Sequence, residues 1–214
     1  MNLIIMGAPG AGKGTQAEII AARENIPSIS TGQIFRDAMA AGTELGIIAN
    51  SYIENGNLVP DEIAIDIVRD YLKSDACSNG FILDGFPRSI AQAEALEEMG
   101  VHIDAVLSID VSDDRIVARM SGRRVCSKCG ASYHINYKPS KIEGICDKCS
   151  SELYIRADDK AETVITRLHN YHVQTEPLLA FYKERNKLIC VEGQEEVEDT
   201  TKLVRKALAE VGGR

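Results

Sequence analysis

Apolar residues along the chain fall into two rhythms. Short, nearly unbroken runs occur at Leu3-Ile4-Ile5-Met6, Phe81-Ile82-Leu83, Ala105-Val106-Leu107-Ser108-Ile109 and Leu188-Ile189-Cys190-Val191. Runs without polar alternation suit strands covered on both faces, because neither face has to meet water. Between them, residues 13–24, 61–73, 89–99, 112–120, 161–186 and 197–210 have helical spacing or composition. Ser112 followed by Asp113 and Asp114 suits a helix start, and Pro177 should kink the long helix that it interrupts. Strands alternating with helices predict an α/β fold, a parallel sheet with helices on both faces.

Two stretches break this alternation. Residues 30–60 read as short helices punctuated by Gly32, Gly42, Gly46, Gly56 and Pro60. Residues 122–157 are polar, turn-rich and cysteine-rich, with almost no aliphatic core. Both are expected to be insertions on a main domain made of residues 1–29, 61–121 and 158–214. No repeat or low-complexity tract interrupts the chain.

Composition narrows the classes. The 214 residues are 44% hydrophobic and 26% charged, enough for a sizeable core and unlike a disordered chain. The formal net charge of −8 makes nucleic acid and anionic membrane poor general partners, so phosphate binding requires arginines gathered into a site. The start, Met1-Asn2-Leu3-Ile4-Ile5-Met6, lacks a basic leader pattern, and no apolar run approaches the roughly 20 residues of a membrane span. A cytoplasmic protein is the expectation.

The chemistry begins directly after the first predicted strand. Gly7-Ala8-Pro9-Gly10-Ala11-Gly12-Lys13-Gly14-Thr15 has the strand–GxxxxGK–helix arrangement. Backbone N–H groups of Gly10, Ala11, Gly12, Lys13, Gly14 and Thr15 suit an anion, and Lys13 adds a point charge. Gly14 stands where Ser or Thr commonly holds Mg²⁺, with Thr15 one place later. Asp84 ends the second apolar run, where α/β sheets place ligand groups, and a carboxylate there suits Mg²⁺ or its waters. Cys126-x-x-Cys129 and Cys146-x-x-Cys149 are separated by 16 residues, a spacing in the structural zinc range. Iron would suit the same four thiolates. Cys77 and Cys190 stand alone, and Cys190 reads as a small core residue. His134, inside the cysteine-rich stretch, reads as a surface histidine.

Taken together, the glycine loop, Asp84-Gly85-Phe86-Pro87-Arg88 and Ser30-Thr31-Gly32 with Arg36 resemble the motifs of the nucleoside monophosphate kinases, adenylate kinases in particular. The resemblance spans essentially the whole chain and points to the bacterial type with a long, four-cysteine zinc lid. It implies a P-loop three-layer fold around a central parallel five-stranded sheet, a helical AMP-binding insertion at residues 30–60 and a small zinc-binding lid at 122–157. It implies reversible, Mg²⁺-dependent transfer between ATP and AMP giving two ADP, by a monomer. AMP contacts then fall to Thr31, Arg36, Asn57, Leu58, Val59, Gly85, Phe86, Pro87, Arg88 and Gln92. ATP contacts fall to the glycine loop, Arg119, Arg123, Ser132, Tyr133 and, through its backbone, Glu195, which stands where the family carries lysine or glutamine. Arg156 and Arg167 are expected to reach the phosphates on closure, and Lys13, Asp84, Arg88, Arg123, Arg156 and Arg167 to serve the transfer itself.

Two other functions fit parts of the chain. A kinase for UMP or CMP would share the loop, although such kinases carry alanine where this chain has Thr31. A nucleic-acid-binding ATPase with a zinc ribbon would share the loop and the cysteines, but the acidic balance and the few aromatics with basic neighbours oppose it.

Overall fold

The computed structural model describes residues 1–212. Strand β1 (Asn2–Met6) enters the glycine loop and helix α1 (Lys13–Glu24), followed by β2 (Ser28–Ser30). Helices α2 (Thr31–Ala40), α3 (Glu44–Ile53) and α4 (Asp61–Leu72) come next. Strand β3 (Phe81–Asp84), helix α5 (Ile90–Glu98), strand β4 (Ala105–Asp110) and helix α6 (Asp113–Gly122) follow. The cysteine-rich stretch carries β5 (Arg123–Cys126), β6 (Ser132–His134) and β7 (Leu153–Tyr154). Helix α7 (Ala161–Asn170), a π-helical turn (Tyr171–Thr175), α8 (Pro177–Glu184), β8 (Leu188–Glu192) and α9 (Val197–Gly212) complete the order.

Among the described residues, five parallel strands form one sheet in the order β2-β3-β1-β4-β8. Ile4 of the central strand pairs with Leu83 on one side and Val106 on the other. Alternate side chains divide between two cores. Leu3, Ile5, Ile82 and Leu107 meet α1, α6, α7 and α9, while Ile4, Met6, Leu83 and Val106 meet α4, α5 and α8. The result is three layers, with both sheet faces dry, as the unbroken apolar runs require. Since β3 and β4 flank β1 on opposite sides, the strand order reverses at β1. A crevice opens there, beyond the strands' carboxyl ends.

Four features depart from the sequence expectation. The strand Ser28–Ser30 has only three residues, two of them serine, and so carries no apolar run. The helix expected over 161–186 is instead two helices joined by the π-helical turn, in which Glu176 N–H donates to Tyr171 O at 2.8 Å. That wider turn leaves Pro177 at the first position of α8, where its missing N–H costs no bond. Cys190 is exposed, not in the core: β8 is an edge strand, and Cys190 shares its open face with Glu192. The cysteine-rich stretch does have a small core of its own, formed by Cys126, Ala131, Tyr133 and Cys146 beside a three-stranded antiparallel sheet.

Candidate active site

The crevice is a cleft of about 490 Å³, lined also by residues of α2, of the loop after α3 and of the cysteine-rich stretch. That volume is within the range of small-molecule sites. Its floor is the loop between β1 and α1. Gly12 takes φ 100°, a left-handed conformation that a side chain disfavours, and this turns the backbone into the start of α1. Lys13 Nζ donates to the carbonyls of Gly7 and Ala8 at 2.7 and 2.8 Å. Burial pulls its pKa down to about 7; Asp84 opposes that shift, whereas Arg88, Arg167 and Arg123 reinforce it. Asp84 closes β3 beside the loop: a Cβ on Gly14 would lie 3.5 Å from its Oδ2.

One end of the cleft is built on a shared carbonyl. Thr31 Oγ1 and Arg88 Nε both donate to Gly85 O, at 2.9 and 2.8 Å. Gly85 has φ 81°, and a Cβ there would sit 2.8 Å from Arg88 Nη2, so a side chain would displace that guanidinium. Loss of water around the half-buried Arg88 guanidinium lowers its pKa; Asp84 opposes the shift. Arg36 Nη2 donates to Gln33 Oε1 at 2.8 Å, and burial takes its pKa down to about 9. Asn57, Leu58, Val59, Pro87 and Gln92 complete this end. Phe86 does not join them: its ring is 1% exposed and packs in the core under α5 and α8.

At the other end stand Thr15, Arg119, Ser132, Tyr133 and Glu195. A guanidinium N–H of Arg119 donates to Gln194 O, and the group lies 6.0 Å from the Tyr137 ring centroid. Tyr133 lines the cleft, and its hydroxyl lies 3.4 Å from Cys146 Sγ.

Between the two ends, Arg123, Arg156 and Arg167 converge on a pair of acids that motif reading missed. Arg123 Nε donates to Asp159 Oδ2 at 2.7 Å and Arg156 Nε to Asp158 Oδ1 at 2.8 Å. Arg167 Nη1 reaches Asp158 Oδ2 at 3.0 Å and Asp159 Oδ1 at 3.2 Å. Burial works against the Asp158 carboxylate, but Arg167 and then Arg156 outweigh it and hold its pKa near 2. Arg124, the strand neighbour of Arg123, faces away and donates to Ser121 O at 3.2 Å. The only sequence hint of these braces was two adjacent acids following Arg156.

The four cysteines gather as the spacing implies. Their sulfurs lie within 4.8 Å of one another, with Cys126 to Cys149 at 3.4 Å and Cys129 to Cys146 at 3.6 Å. These separations are far beyond a disulfide bond and close to the edge of a tetrahedron of thiolates about 2.3 Å from one ion. Cys126 Sγ also accepts from the N–H groups of Lys128 and Cys129, at 3.4 and 3.5 Å, as a thiolate would. The donor set therefore fits a closed, four-sulfur metal site.

His134 is no free surface histidine. Its Nδ1 accepts from Asn136 N–H at 3.0 Å and Tyr137 N–H at 3.2 Å. The proton must then sit on Nε2, which donates to Arg119 O at 3.1 Å. The ring thus ties the cysteine-rich stretch to the end of α6. Elsewhere, Lys148 Nζ meets Glu18 Oε2 of α1 at 3.1 Å, and Gly130 packs on the Gln33 side chain of α2.

Comparison with known proteins agrees with this architecture. The family model described as adenylate kinase matches residues 5–187. The chain is 58% identical over 212 residues to an adenylate kinase of Caldicellulosiruptor saccharolyticus, covering 97% of this chain and 99% of that one. It is 57% identical to one from Acetivibrio thermocellus, covering 99% of both. It is 50% identical to one from Bacillus licheniformis, covering 100% and 99%. With a family match over most of its length and identities of this size over nearly all of it, the chain belongs to the adenylate kinase family.

Proposed function

We propose that this chain moves the terminal phosphoryl group of ATP to AMP, reversibly, giving two ADP. The observation that carries the reading is one cleft with two different ends, joined by Lys13, Arg88, Arg123, Arg156 and Arg167. ATP lies along the loop from Gly10 to Thr15, with its base toward Arg119, Ser132, Tyr133 and Glu195. AMP lies against Thr31, Arg36, the backbone of residues 57–59, Gly85, Arg88 and Gln92.

An oxygen of the AMP phosphate attacks the γ-phosphorus, and the bond to the β–γ bridging oxygen breaks. Such a transfer spreads charge over the equatorial oxygens and needs positioning and positive charge more than a protein base. Lys13 leaves its two loop carbonyls for the phosphates. Arg88 holds the acceptor phosphate, and Arg123, Arg156 and Arg167, preset by Asp158 and Asp159, meet the charge from above. A bound Mg²⁺ would neutralise phosphate charge; Asp84, with Thr15, is the residue to hold it or its waters. Residues 30–60 and 122–157 act as closing parts, which keep water from competing as acceptor. Zinc in the four-cysteine site orders the lid and takes no part in transfer, since four protein sulfurs leave no open position.

A coupled assay with ATP and a panel of AMP, CMP, UMP and GMP tests the reading. AMP should be the best acceptor by a wide margin. Preference for CMP or UMP, or hydrolysis of ATP that ignores AMP, would defeat it.

A further inference from the structure

Gln92 is 2% exposed and lines the cleft, and two partners decide which end of its amide is which. Its Oε1 accepts from the backbone N–H of Arg88 at 2.7 Å, and its Nε2 donates to Asp61 Oδ1 at 2.6 Å. A backbone N–H can only donate and a carboxylate can only accept, so the reversed amide would lose both bonds. Asp61 is itself held: its Oδ2 accepts from Ser89 Oγ at 2.8 Å, while Ser89 Oγ accepts from Gln92 N–H at 3.2 Å. Asp61, Ser89 and Gln92 form a ring of hydrogen bonds between the starts of α4 and α5.

We propose that Asp61 is a positioning residue that sets purine selectivity by forbidding Gln92 to flip. The inference rests on the AMP reading of this end of the cleft. With its amide locked, Gln92 keeps one N–H and one carbonyl lone pair uncommitted. That pair matches the edge of adenine, whose N1 accepts and whose 6-amino group donates. Hypoxanthine and guanine carry the opposite pattern, an N1–H donor and an O6 acceptor. A glutamine free to rotate would serve either purine equally; a locked one leaves the wrong purine with two unmet groups. Buried mismatches of this kind discriminate strongly, because unpaired polar groups are left behind.

Initial rates with AMP and with IMP, which differs from AMP only in this hydrogen-bonding pattern, test the proposal. Asp61→Asn offers either a donor or an acceptor to Gln92, so the flipped amide then loses only its bond to Arg88 N–H instead of both, and it becomes accessible. The kcat/KM preference for AMP over IMP should fall by about tenfold or more. KM for AMP should rise more than kcat falls, and KM for ATP should stay put. Asp61→Glu, still an acceptor only, should keep most of the preference. Asp61→Ser supplies a second loss of the carboxylate should the asparagine variant fold poorly. Equal losses for AMP and IMP, with the ratio unmoved, would make Asp61 merely structural and overturn the proposal. A wild-type protein that does not use AMP at all would instead refute the AMP reading on which it stands.

Discussion

The Asp159 carboxylate, with no exposed side-chain surface, holds Arg123 through both of its oxygens and shares one of them, Oδ1, with Arg167 Nη1. One buried negative charge thereby keeps two like-charged guanidiniums side by side at the cleft. Asp159→Asn keeps the shape but removes the charge. It should lower turnover by one to two orders of magnitude, because neither arginine is then preset for the phosphates. Leaving buried positive charge less well paired should also cost on the order of 2 kcal/mol of stability, read from chemical denaturation. Full activity in this variant would show that the phosphates alone position the arginines.

Lys13 makes a pH-dependent claim. Its pKa is about 7 in the empty site, because burial outweighs Asp84. A bound polyphosphate restores the charge, so ATP binding should take up protons above pH 7 and release none there. Calorimetry in buffers of different ionisation heat should show close to one proton taken up near pH 8, and fewer near pH 6. For the empty protein the sign runs the same way in stability. The unfolded lysine binds more protons between pH 7 and 10.5, so this group makes folding more favourable as pH rises through that window. Lys13→Met should abolish the proton uptake and lower turnover by several orders of magnitude with the fold intact.

The four-cysteine site predicts one zinc per chain, measured by elemental analysis of gently purified protein. A Cys146→Ser, Cys149→Ser double variant should lose the metal and melt at lower temperature. It should keep measurable kinase activity in the cold, because Arg123 and Arg156 lie at the margins of the lid and stay present, though less well held. Chelator should lower the melting point of the wild type and leave that of the variant alone. Metal-free wild-type protein with an unchanged melting curve would remove the site.

The cysteine-rich stretch meets α1 through the Lys148–Glu18 pair, both partners partly exposed. Exposed pairs contribute little, so Lys148→Ala should change KM for ATP by less than about threefold. Reversal to Lys148→Glu, which sets two carboxylates together, should raise it further at low salt. That added penalty should fade by about 0.5 M salt as screening shortens to a few ångströms. A salt-independent effect would place the cause in lid folding, not in charge.

What the chain declares by itself is whatever depends on neighbours in sequence. The glycine loop, the unbroken strands and the two Cys-x-x-Cys pairs were legible because backbone approach, two-sided burial and thiolate spacing act over a few residues. The three-residue β2 was not legible, since its hydrogen bonds to β3 stand in for an apolar pattern that it lacks. Cys190 looked internal because its run is apolar, but only the sheet order makes that strand an edge. Phe86 lies within a motif that points to the cleft, yet packing turned its ring into the core. The braces of the site belong to tertiary structure alone. Asp158 under Arg167, Asp159 under Arg123, His134 against Arg119 and Asp61 behind Gln92 each hold a partner from another element. A buried charge or amide has to be answered by whatever the fold brings within about 3 Å, and that distance is decided only when the layers close.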